Sequence, residues 1–370
     1  MVDRRRIVRQ WREGSAKVLV TLVRATGSSY RRPGAHLLIG ADGECAGTIS
    51  GGCLEAEVVR KAAWMVRDGA IVESYSTMFD DTAEIPFGLG CGGVVDLLFE
   101  PVDTPECRAL LEAMEASLGG DEMFVATWLP EDGQRLHRAV VRIDERVFAS
   151  EGLSLADRDA VANHFVTPLD LNARVYCETL SVPQRLFVLG AGDDAKPVVT
   201  MAALLGWNVT VGDGRAQLAR AERFPEAERV ATVASASELS IGARDAVVLM
   251  THSYEQDRAL LSGLLAMERP GYIGLLGARH RSSLLVAEAA AALGCSVAAC
   301  CERVYAPVGL DLGGDGPEAI ALAVVAEVQA WRQGKLGSSR RLTAEAVAEQ
   351  VAQGGASRYL LAQCAVGAAE

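Results

Sequence analysis

The strongest chemical signal in this 370-residue chain is a glycine-rich turn, GAGDD (190–194), between a strand pattern and a helix pattern. Gly190 and Gly192 would let the backbone approach a pyrophosphate, and the N–H groups of the helix would face it. Asp213 ends the next strand pattern 21 residues after Gly192, where an acid can accept a ribose hydroxyl. Because the two aspartates of the turn oppose an anion, the pattern fits either a dinucleotide site or a Rossmann-type scaffold that does not use NAD.

A second glycine-rich loop, PVGLDLGGDGPE (307–318), precedes a helix pattern that begins at Pro317. Gly309, Asp311 and Gly313 are its candidate binding residues, because such a loop on a helix N-terminus can hold an anion or the polar edge of a pterin-like ring. The alternative is a flexible connector that ends at the proline.

Two further groups follow predicted strands, at the edge where open α/β sheets place their ligands. Arg279 and Arg281 come after the strand GYIGLL and could bind a phosphate in bidentate fashion. His252 follows another strand at the same edge. The alternatives are an exposed basic helix turn and a structural histidine.

Two cysteines of the first hundred residues lie in glycine-rich turns, where their sulfur atoms could act as soft ligands. Cys53 precedes a helix, whose positive end lowers the pKa of a thiol, and Cys91 lies in a loop almost free of side chains. Thiolates suit soft or sulfur-rich metals, so both are candidate contacts to a soft metal or to sulfur. With their neighbours, the candidates are Ser50, Gly51, Gly52, Cys53, Cys91 and Gly92. The alternative is two buried small residues.

The loop GSSYRRPG (27–34) adds hydroxyls and cations. Its candidate ligands are Ser28, Ser29, Arg31 and Arg32. They could clamp a phosphate or another polar group. The alternative is a solvated charged turn.

These residues require an α/β fold, with an N-terminal mixed α/β domain and a C-terminal Rossmann-like, doubly wound parallel sheet. In the C-terminal part five strand patterns alternate with helix patterns at 194–205, 215–223, 255–267 and 279–293. In the N-terminal part a buried strand at 17–25 is followed by a hairpin turning at Asp42-Gly43, a helix ending at Gly69, and strands near 70–77 and 94–102.

The predicted domains are residues 1–180, with a motif core at 17–102 and a mixed segment at 103–180, then 184–335, then an Ala-rich helical tail at 336–370. We expect the front cysteines and the back loops to converge on a single cleft.

Composition narrows the function classes. The net charge is −12, which disfavours nucleic acid and anionic membranes as partners. Neither a signal peptide nor a transmembrane stretch is evident, so we expect a cytoplasmic protein without membrane insertion. Nine cysteines without a regular spacing argue against a disulfide framework.

Taken together, the motifs resemble the XdhC/CoxI family, the accessory factors of xanthine dehydrogenase and related molybdenum hydroxylases. The resemblance covers most of 17–102 and 184–330, in the order of the family. The motifs that carry it are GSSYRRPG, TISGGCLEAEV, GLGCGG, VLGAGDDAKPVVTMAALLGWNVTVGD, MTHSYEQDRALL, YIGLLGARHR and APVGLDLGGDGPEAIALAVVAEV.

The resemblance implies a maturation factor that binds the molybdenum cofactor (molybdopterin or its cytosine dinucleotide), supports its sulfuration and delivers it to a xanthine dehydrogenase or a CO dehydrogenase-type enzyme. It implies as partners a molybdenum hydroxylase apoenzyme, a cysteine desulfurase and cofactor biosynthesis proteins. By motif matching, Cys53 and Cys91 become the candidate cofactor contacts. Because the Ala-rich helices could pair across copies, we also expect a homodimer.

Two other functions remain open from the residues. One is an NAD(P)-dependent oxidoreductase that uses the C-terminal domain. The other is a non-catalytic interaction scaffold in which the glycine loops are only turns.

Overall fold

The computed structural model of the chain describes residues 1–52, 54–76, 93–131, 135–142, 145–163, 174–267 and 270–337. Within these ranges the strands form three sheets. Two are antiparallel and lie in the first 180 residues, and the third is parallel and lies beyond residue 184.

The first sheet has five strands in the order β3-β2-β1-β5-β4. Its neighbouring strands are antiparallel, and β2 and β3 form the hairpin predicted at Asp42-Gly43. The elements are α1 (Val2–Arg12), β1 (Ala16–Thr26), β2 (His36–Gly40), β3 (Cys45–Gly47), α2 (Glu55–Met65), β4 (Ile71–Ser76) and β5 (Val94–Pro101).

This sheet is buried on both faces because its central strand alternates between two apolar layers. Val20 and Leu22 of β1 pack with Val58 of α2. Leu19, on the opposite face, packs with Ile7 of α1 and with the elements that follow. A continuous apolar run, rather than an alternating one, is therefore the correct signature of β1.

The second sheet has four antiparallel strands in the order β8-β7-β6-β9. One face packs with α3 on the first sheet and the other face packs with α4. The elements are α3 (Pro105–Gly119), β6 (Met123–Trp128), β7 (His137–Arg142), β8 (Glu145–Ala149), α4 (Leu155–Ala162) and β9 (Val175–Leu180).

The third sheet has six parallel strands in the order β12-β11-β10-β13-β14-β15, which is the doubly wound order of a Rossmann domain. The elements are β10 (Arg185–Leu189), α5 (Ala195–Leu204), β11 (Asn208–Asp213), β12 (Arg229–Thr232), β13 (Ala246–Leu249), α6 (Tyr254–Ala266), β14 (Tyr272–Leu275), α7 (Arg279–Leu293), α8 (Val297–Cys301), β15 (Val304–Tyr305) and α9 (Pro317–Arg332).

Alternate residues of these strands supply two separate cores. Val188 and Val248 face α5 and α9, whereas Leu189 and Leu249 face α6 and α7. The predicted fold class, a mixed α/β N-terminal part followed by a doubly wound parallel sheet, is confirmed.

One predicted helix is wrong. Residues 215–223 form turns that end in a short 3₁₀ segment, Ala221–Arg223, instead of an α-helix. The cause is local, because Arg215 folds back to bond the carboxylate of Asp213, and Pro225 follows the segment.

The N-terminal part contacts the amino edge of the parallel sheet, where strands β10 to β13 begin. Arg5 donates to the carbonyl of Gly206 and contacts the side chain of Asn208, and Arg244 pairs with Glu122. In the described part of the chain, no helix has the length and apolar character needed to cross a bilayer.

Candidate functional site

A cleft of about 850 Å³ lies at the carboxyl edge of the parallel sheet. It collects four of the segments that the sequence marks as candidates: the turn after β10, the loops after β13 and β14, and the glycine-rich loop before α9. Its walls include Asp193, Asp194, Met250, His252, Leu276, Gly277, Arg281, Pro307, Asp311, Gly313, Gly314, Asp315 and Pro317.

Three helices begin at this cleft. α5 starts beside Asp194, α7 starts two residues after Gly277, and α9 starts at Pro317 with Gly316 as its N-cap. The first N–H groups of a helix have no partner within the helix and carry partial positive charge. At α7 and α9 these groups give the cleft donors for an anionic group, whereas in α5 the N–H groups of Ala195 and Lys196 donate to the carbonyls of Gly192 and Asp193.

Lysine and arginine side chains compensate the acidic turn after β10. Asp193 pairs with Lys196 at 2.7 Å and with Arg223 at 2.9 Å, and these two cations lower the pKa of its carboxyl group. Its charge therefore opposes an anion less than the sequence suggests. Neither cation stands out in the sequence, because Lys196 lies inside a helix and Arg223 in a segment we predicted to be one.

His252 bonds the second aspartate of the turn, with 2.7 Å between Nε2 and the Oδ2 atom of Asp194. Its backbone has φ 60°, the left-handed region that non-glycine residues rarely adopt. Held in this conformation, the exposed imidazole reaches across the cleft from the end of β13 to the start of α5. The candidate histidine is thus at the cleft and has a carboxylate partner.

Asp213 lies where the sequence places it, but its carboxylate is already occupied. It accepts N–H bonds from Ala191 (2.8 Å) and from the backbone (2.8 Å) and guanidinium (2.8 and 2.9 Å) of Arg215. Burial acts to raise its pKa, yet these bonds outweigh burial and lower it. The prediction that Asp213 takes a ligand hydroxyl therefore conflicts with its structural role, which closes the loop after β11 onto the turn after β10.

Gly190 and Gly192 allow the neighbouring backbone and side chains to pack closely. Gly190 has φ 127°, and a Cβ there would lie 2.3 Å from the carbonyl oxygen of Met250. At Gly192 a Cβ would lie 2.5 Å from the Oδ1 atom of Asp194. The end of β10 therefore packs closely against the end of β13 at Gly190.

The two arginines of α7 do not form the predicted pair of phosphate ligands. Arg281 lines the cleft, but its guanidinium donates to the buried Asp257 at 2.6 Å and to the carbonyl of Leu276 at 3.2 Å. Arg279 is exposed and is not among the residues lining the cleft. Arg281 therefore mainly links α7 to α6 through its bond to Asp257.

Glu327, which the sequence did not identify, anchors the glycine-rich loop. This buried carboxylate of α9 accepts the N–H of Gly309 at 2.9 Å and also contacts the hydroxyl of Tyr272. Burial and the neighbouring carboxylate raise the pKa of that hydroxyl. Beyond this anchor, Asp311 is exposed, and Gly313 and Gly314 adopt positive φ values of 77° and 87°.

The front candidate segments meet at one end of the first sheet. The Tyr30 ring lies 3.6 Å from the position of a Cβ on Gly51. A Cβ on Gly93 would lie 2.3 Å from the carbonyl oxygen of Ser28. The loop 26–34 therefore contacts both the turn before α2 and the start of β5.

Hydrogen bonds define the turn before α2. The hydroxyl of Ser50 accepts the N–H groups of Gly52 and Leu54, each at 3.2 Å, while Glu55 accepts the N–H of Ser50 at 2.8 Å. Burial acts to raise the pKa of Glu55, but the bonds from Ser50 outweigh it and lower the pKa. Ser50 therefore stabilises the turn that leads to the N-cap, Leu54, and its hydroxyl is already engaged.

The remaining front candidates differ in exposure. Ser29 donates to the carbonyl of Arg31 at 2.7 Å, and Arg31 pairs with Asp3 of α1 at 2.9 Å. Arg32 and Ser28 are exposed. Cys53, Cys91 and Gly92 lie outside the described residues, so their predicted sulfur and metal contacts stay predictions.

The expected convergence of front and back candidates on one cleft is not seen among the described residues. Every described residue that lines the 850 Å³ cleft belongs to 193–323. A separate groove of about 1090 Å³ lies between the two halves at the amino edge of the sheet, bounded by Glu122 and Ser181 on one side and by Arg185 and Asn208 on the other. The first half is thus docked on the edge opposite the candidate cleft.

No group of three or more His, Cys, Asp and Glu side chains within the described ranges is arranged to hold a metal ion. The cleft offers backbone N–H donors at the starts of α7 and α9 and carboxylate acceptors at Asp311 and Asp315, a set that can bind a polar organic ligand.

Comparisons with known proteins match both halves of the chain to the same family. Residues 10–76 match the XdhC and CoxI family, and residues 186–328 match the XdhC Rossmann domain. A Bacillus subtilis protein described as a probable xanthine dehydrogenase subunit is 28% identical over 316 residues, covering 84% of this chain and 92% of that protein. The molybdenum cofactor insertion chaperone PaoD of Escherichia coli is 26% identical over 86% of this chain and 84% of its own length.

A solved structure has the same architecture along nearly its whole length. It is described as a xanthine dehydrogenase from Bacillus halodurans, and it is 26% identical to this chain. The superposition has a TM-score of 0.77 and covers 94% of this chain and 99% of the other.

Proposed function

Because the chain belongs to the XdhC and CoxI family, we propose that it is an accessory factor that binds the molybdenum cofactor and delivers it to a molybdenum hydroxylase. The names of two relatives, a molybdenum cofactor insertion chaperone and a probable subunit of xanthine dehydrogenase, support this role. The observation that carries the proposal is the cleft at the carboxyl edge of the parallel sheet, where three helix N-termini meet a glycine-rich loop.

The donors and acceptors of the cleft fit the two ends of this cofactor. Its phosphate suits the backbone N–H groups in the first turn of α7 and in the first turn of α9 after Pro317. The edge of its pterin carries amino and ring N–H donors, and the exposed carboxylates of Asp311 and Asp315 are complementary acceptors. Gly313 and Gly314 lie between these acceptors and add no side chains there.

When bound, the cofactor supplies the molybdenum and dithiolene chemistry, while this chain holds and shields it. The bond between His252 and Asp194 spans the turn after β10 and the loop after β13. We propose that this pair orients the cofactor and that Arg281, fixed by Asp257, contributes positive charge to the wall.

Cys53 and Cys91 remain our proposed contacts to molybdenum or to the sulfur added during sulfuration, with a cysteine desulfurase as the sulfur source. They belong to the front half, and the front half docks at the amino edge of the sheet. A homodimer that places the front loops of one copy near the cleft of the other would unite the two sets. We propose that arrangement, acting in the cytoplasm on a xanthine dehydrogenase or CO dehydrogenase-type apoenzyme, with cofactor biosynthesis proteins upstream.

The oxidoreductase alternative loses support from one observation. Arg215 and Ala191 already occupy the carboxylate of Asp213. An NAD(P) ribose bound at this carboxylate would have to displace them. Saturable binding of NADH by the purified chain would restore this alternative.

The proposal is tested by purifying the chain anaerobically from a strain that makes the cofactor, and then measuring released pterin and molybdenum and the mass of the native assembly. We expect both components in near-equal amounts. Absence of pterin after purification and after reconstitution would remove the proposal.

Two variants, each of which removes one exposed carboxylate, test whether the cofactor binds in this cleft. Asp311→Ala should lower the bound pterin about tenfold, because a hydrogen bond to a charged group contributes on the order of 1.5 kcal/mol. Glu228→Ala, an exposed carboxylate at the amino edge, should leave it unchanged. An equal loss in both variants would contradict the assignment of this cleft.

The interaction-scaffold alternative has its own test. Cys53→Ala combined with Cys91→Ala should reduce activation of the target enzyme if the thiols handle sulfur. Full activation by the double variant would favour a scaffold.

A further inference from the structure

Three cysteines lie close together at the turn between α7 and α8, away from the residues that line the cleft. The sulfur atoms of Cys295 and Cys300 are 3.5 Å apart. Cys295 and Cys301 are exposed, whereas Cys300 is buried. The sequence did not point to this pair, because the two cysteines are separated by four residues and by a change of helix.

The backbone on both sides of the pair is fixed by hydrogen bonds. Gly294 ends α7 with φ 65°, and the N–H of Cys295 donates to the carbonyl of Ala290 at 3.1 Å. Ser296 caps α8 by accepting the N–H of Ala299 at 3.1 Å, and the N–H of Cys300 donates to the carbonyl of Ser296 at 3.3 Å. The turn therefore holds the two sulfurs near each other, and a covalent bond requires them to approach by about 1.5 Å, to about 2.05 Å.

The two thiols differ in access. Cys300 packs among Leu285, Ala289 and Val304 in the core beneath α7. Burial and the thiol of Cys295 raise its pKa. A reagent from solution can reach Cys295 but not Cys300, so the exposed thiol is the one that reacts first and the buried thiol is placed to resolve the product.

We propose that Cys295 and Cys300 form a reversible dithiol–disulfide site that reacts with low-molecular-weight disulfides. The thiolate of Cys295 attacks one sulfur of the small disulfide, which forms a mixed disulfide and releases one thiolate. Cys300, after losing its proton to solvent, attacks the Cys295 sulfur of the mixed disulfide and releases the second thiolate. The two protein thiols lose two electrons, which the small disulfide gains, and both released thiolates take up protons.

This site is independent of the proposed cofactor function, because none of its cysteines lines the cleft. It stands directly before β15, the edge strand of the parallel sheet. In the oxidised form the end of α7 would be tied covalently to α8.

The test uses the full-length reduced chain and oxidised glutathione as the probe. After acid quenching and alkylation, trypsin releases residues 282–303 as one peptide that contains all three cysteines. We expect this peptide to lose two hydrogens and to carry a single alkyl group. Dithiothreitol should restore three alkylation sites. A peptide with three alkyl groups after oxidation, or with glutathione adducts and no internal bond, would overturn the proposal.

Three variants identify the pair. Cys301→Ser should still lose two hydrogens and should carry no alkyl group. Cys295→Ser should block the internal bond, and because this side chain is exposed, the variant should fold. Cys300→Ser should stop at a mixed disulfide on Cys295. An internal bond that persists in Cys300→Ser would show that Cys301 is the true partner and would reject the assignment.

Discussion

At the scale of single residues, the largest predicted change in the free energy of unfolding comes from breaking the buried ion pair in the first half. The guanidinium of Arg138 donates to both carboxylate oxygens of Glu100 at 2.8 and 3.0 Å, and both side chains are 1% exposed. Arg138→Met should lower the free energy of unfolding by about 4 kcal/mol, because it leaves Glu100 charged and unpaired. Urea unfolding measures the change.

A double variant separates pairing from packing at this position. Arg138→Met with Glu100→Leu should recover much of the lost stability, since the carboxylate that the single variant leaves unpaired is then absent. Arg146→Met, which breaks only an exposed pair with Asp159, should have little effect. A double variant as unstable as the single one would show that packing, rather than the unpaired charge, sets the cost.

Asp213 makes a prediction about pH. Its folded pKa is lowered below the unfolded value of about 3.9, so its contribution to stability is fully present above pH 3.9 and is lost as the pH falls through the folded pKa. The difference in unfolding free energy between the native chain and Asp213→Asn should therefore shrink on acidification from pH 6 to pH 3. Denaturant titrations at several pH values measure it, and a difference that grows toward low pH would contradict the assignment.

The motifs predicted where the side chains lie more reliably than which contacts those side chains make. The sequence places Asp213 correctly at the end of β11, yet it cannot show that Arg215 turns back onto it. Likewise Glu327 has no motif of its own, and its function depends on the N–H of Gly309 reaching it from 18 residues away. Such contacts depend on loop conformation, which local patterning does not encode.

At the scale of elements, Gly190 controls how the ends of β10 and β13 approach. Gly190→Ala should lower the free energy of unfolding by about 1–3 kcal/mol or more, since φ 127° is strained for alanine and its Cβ would meet the carbonyl of Met250. Thermal and urea unfolding measure the loss. Gly119→Ala is the matched control, because it has open space in the last turn of α3 and should gain about 0.5 kcal/mol. Equal effects at both glycines would refute the close approach.

Elements marked by turn or capping residues could be predicted from the sequence, whereas elements whose pairing depends on tertiary packing could not. The hairpin at Asp42-Gly43 and the start of α9 at Pro317 follow from turn and capping chemistry. The second sheet was seen only as a mixture of strands and a short helix, because its pairing of β6 with β9 joins segments separated by about fifty residues. The predicted helix at 215–223 failed where one side-chain contact outweighed local propensity.

At the scale of the whole molecule, the placement of the two halves decides which candidates can meet. The helix α1 reaches from the first half to the amino edge of the parallel sheet, whereas the cleft opens at the carboxyl edge. No motif records which edge a neighbouring domain covers. The expectation of a single shared cleft therefore could not be checked from sequence, although its parts were identified.

The bridging arginines of α1 predict how the halves unfold. Arg5 donates to the carbonyl of Gly206 in the second half at 3.2 Å, and Arg4 donates to the carbonyl of Ser181, in the segment that links the halves, at 2.8 Å. Replacing both with alanine should remove about 2 kcal/mol or more of coupling between the halves, because each bond is formed by a charged donor in a partly buried place. Domain-resolved hydrogen exchange during thermal unfolding should then show two separated transitions. Arg9→Ala, an exposed position on the same helix, should leave the native pattern unchanged. Coincident loss of protection in both halves of the double variant would mean that the groove at the amino edge, rather than α1, holds the halves together.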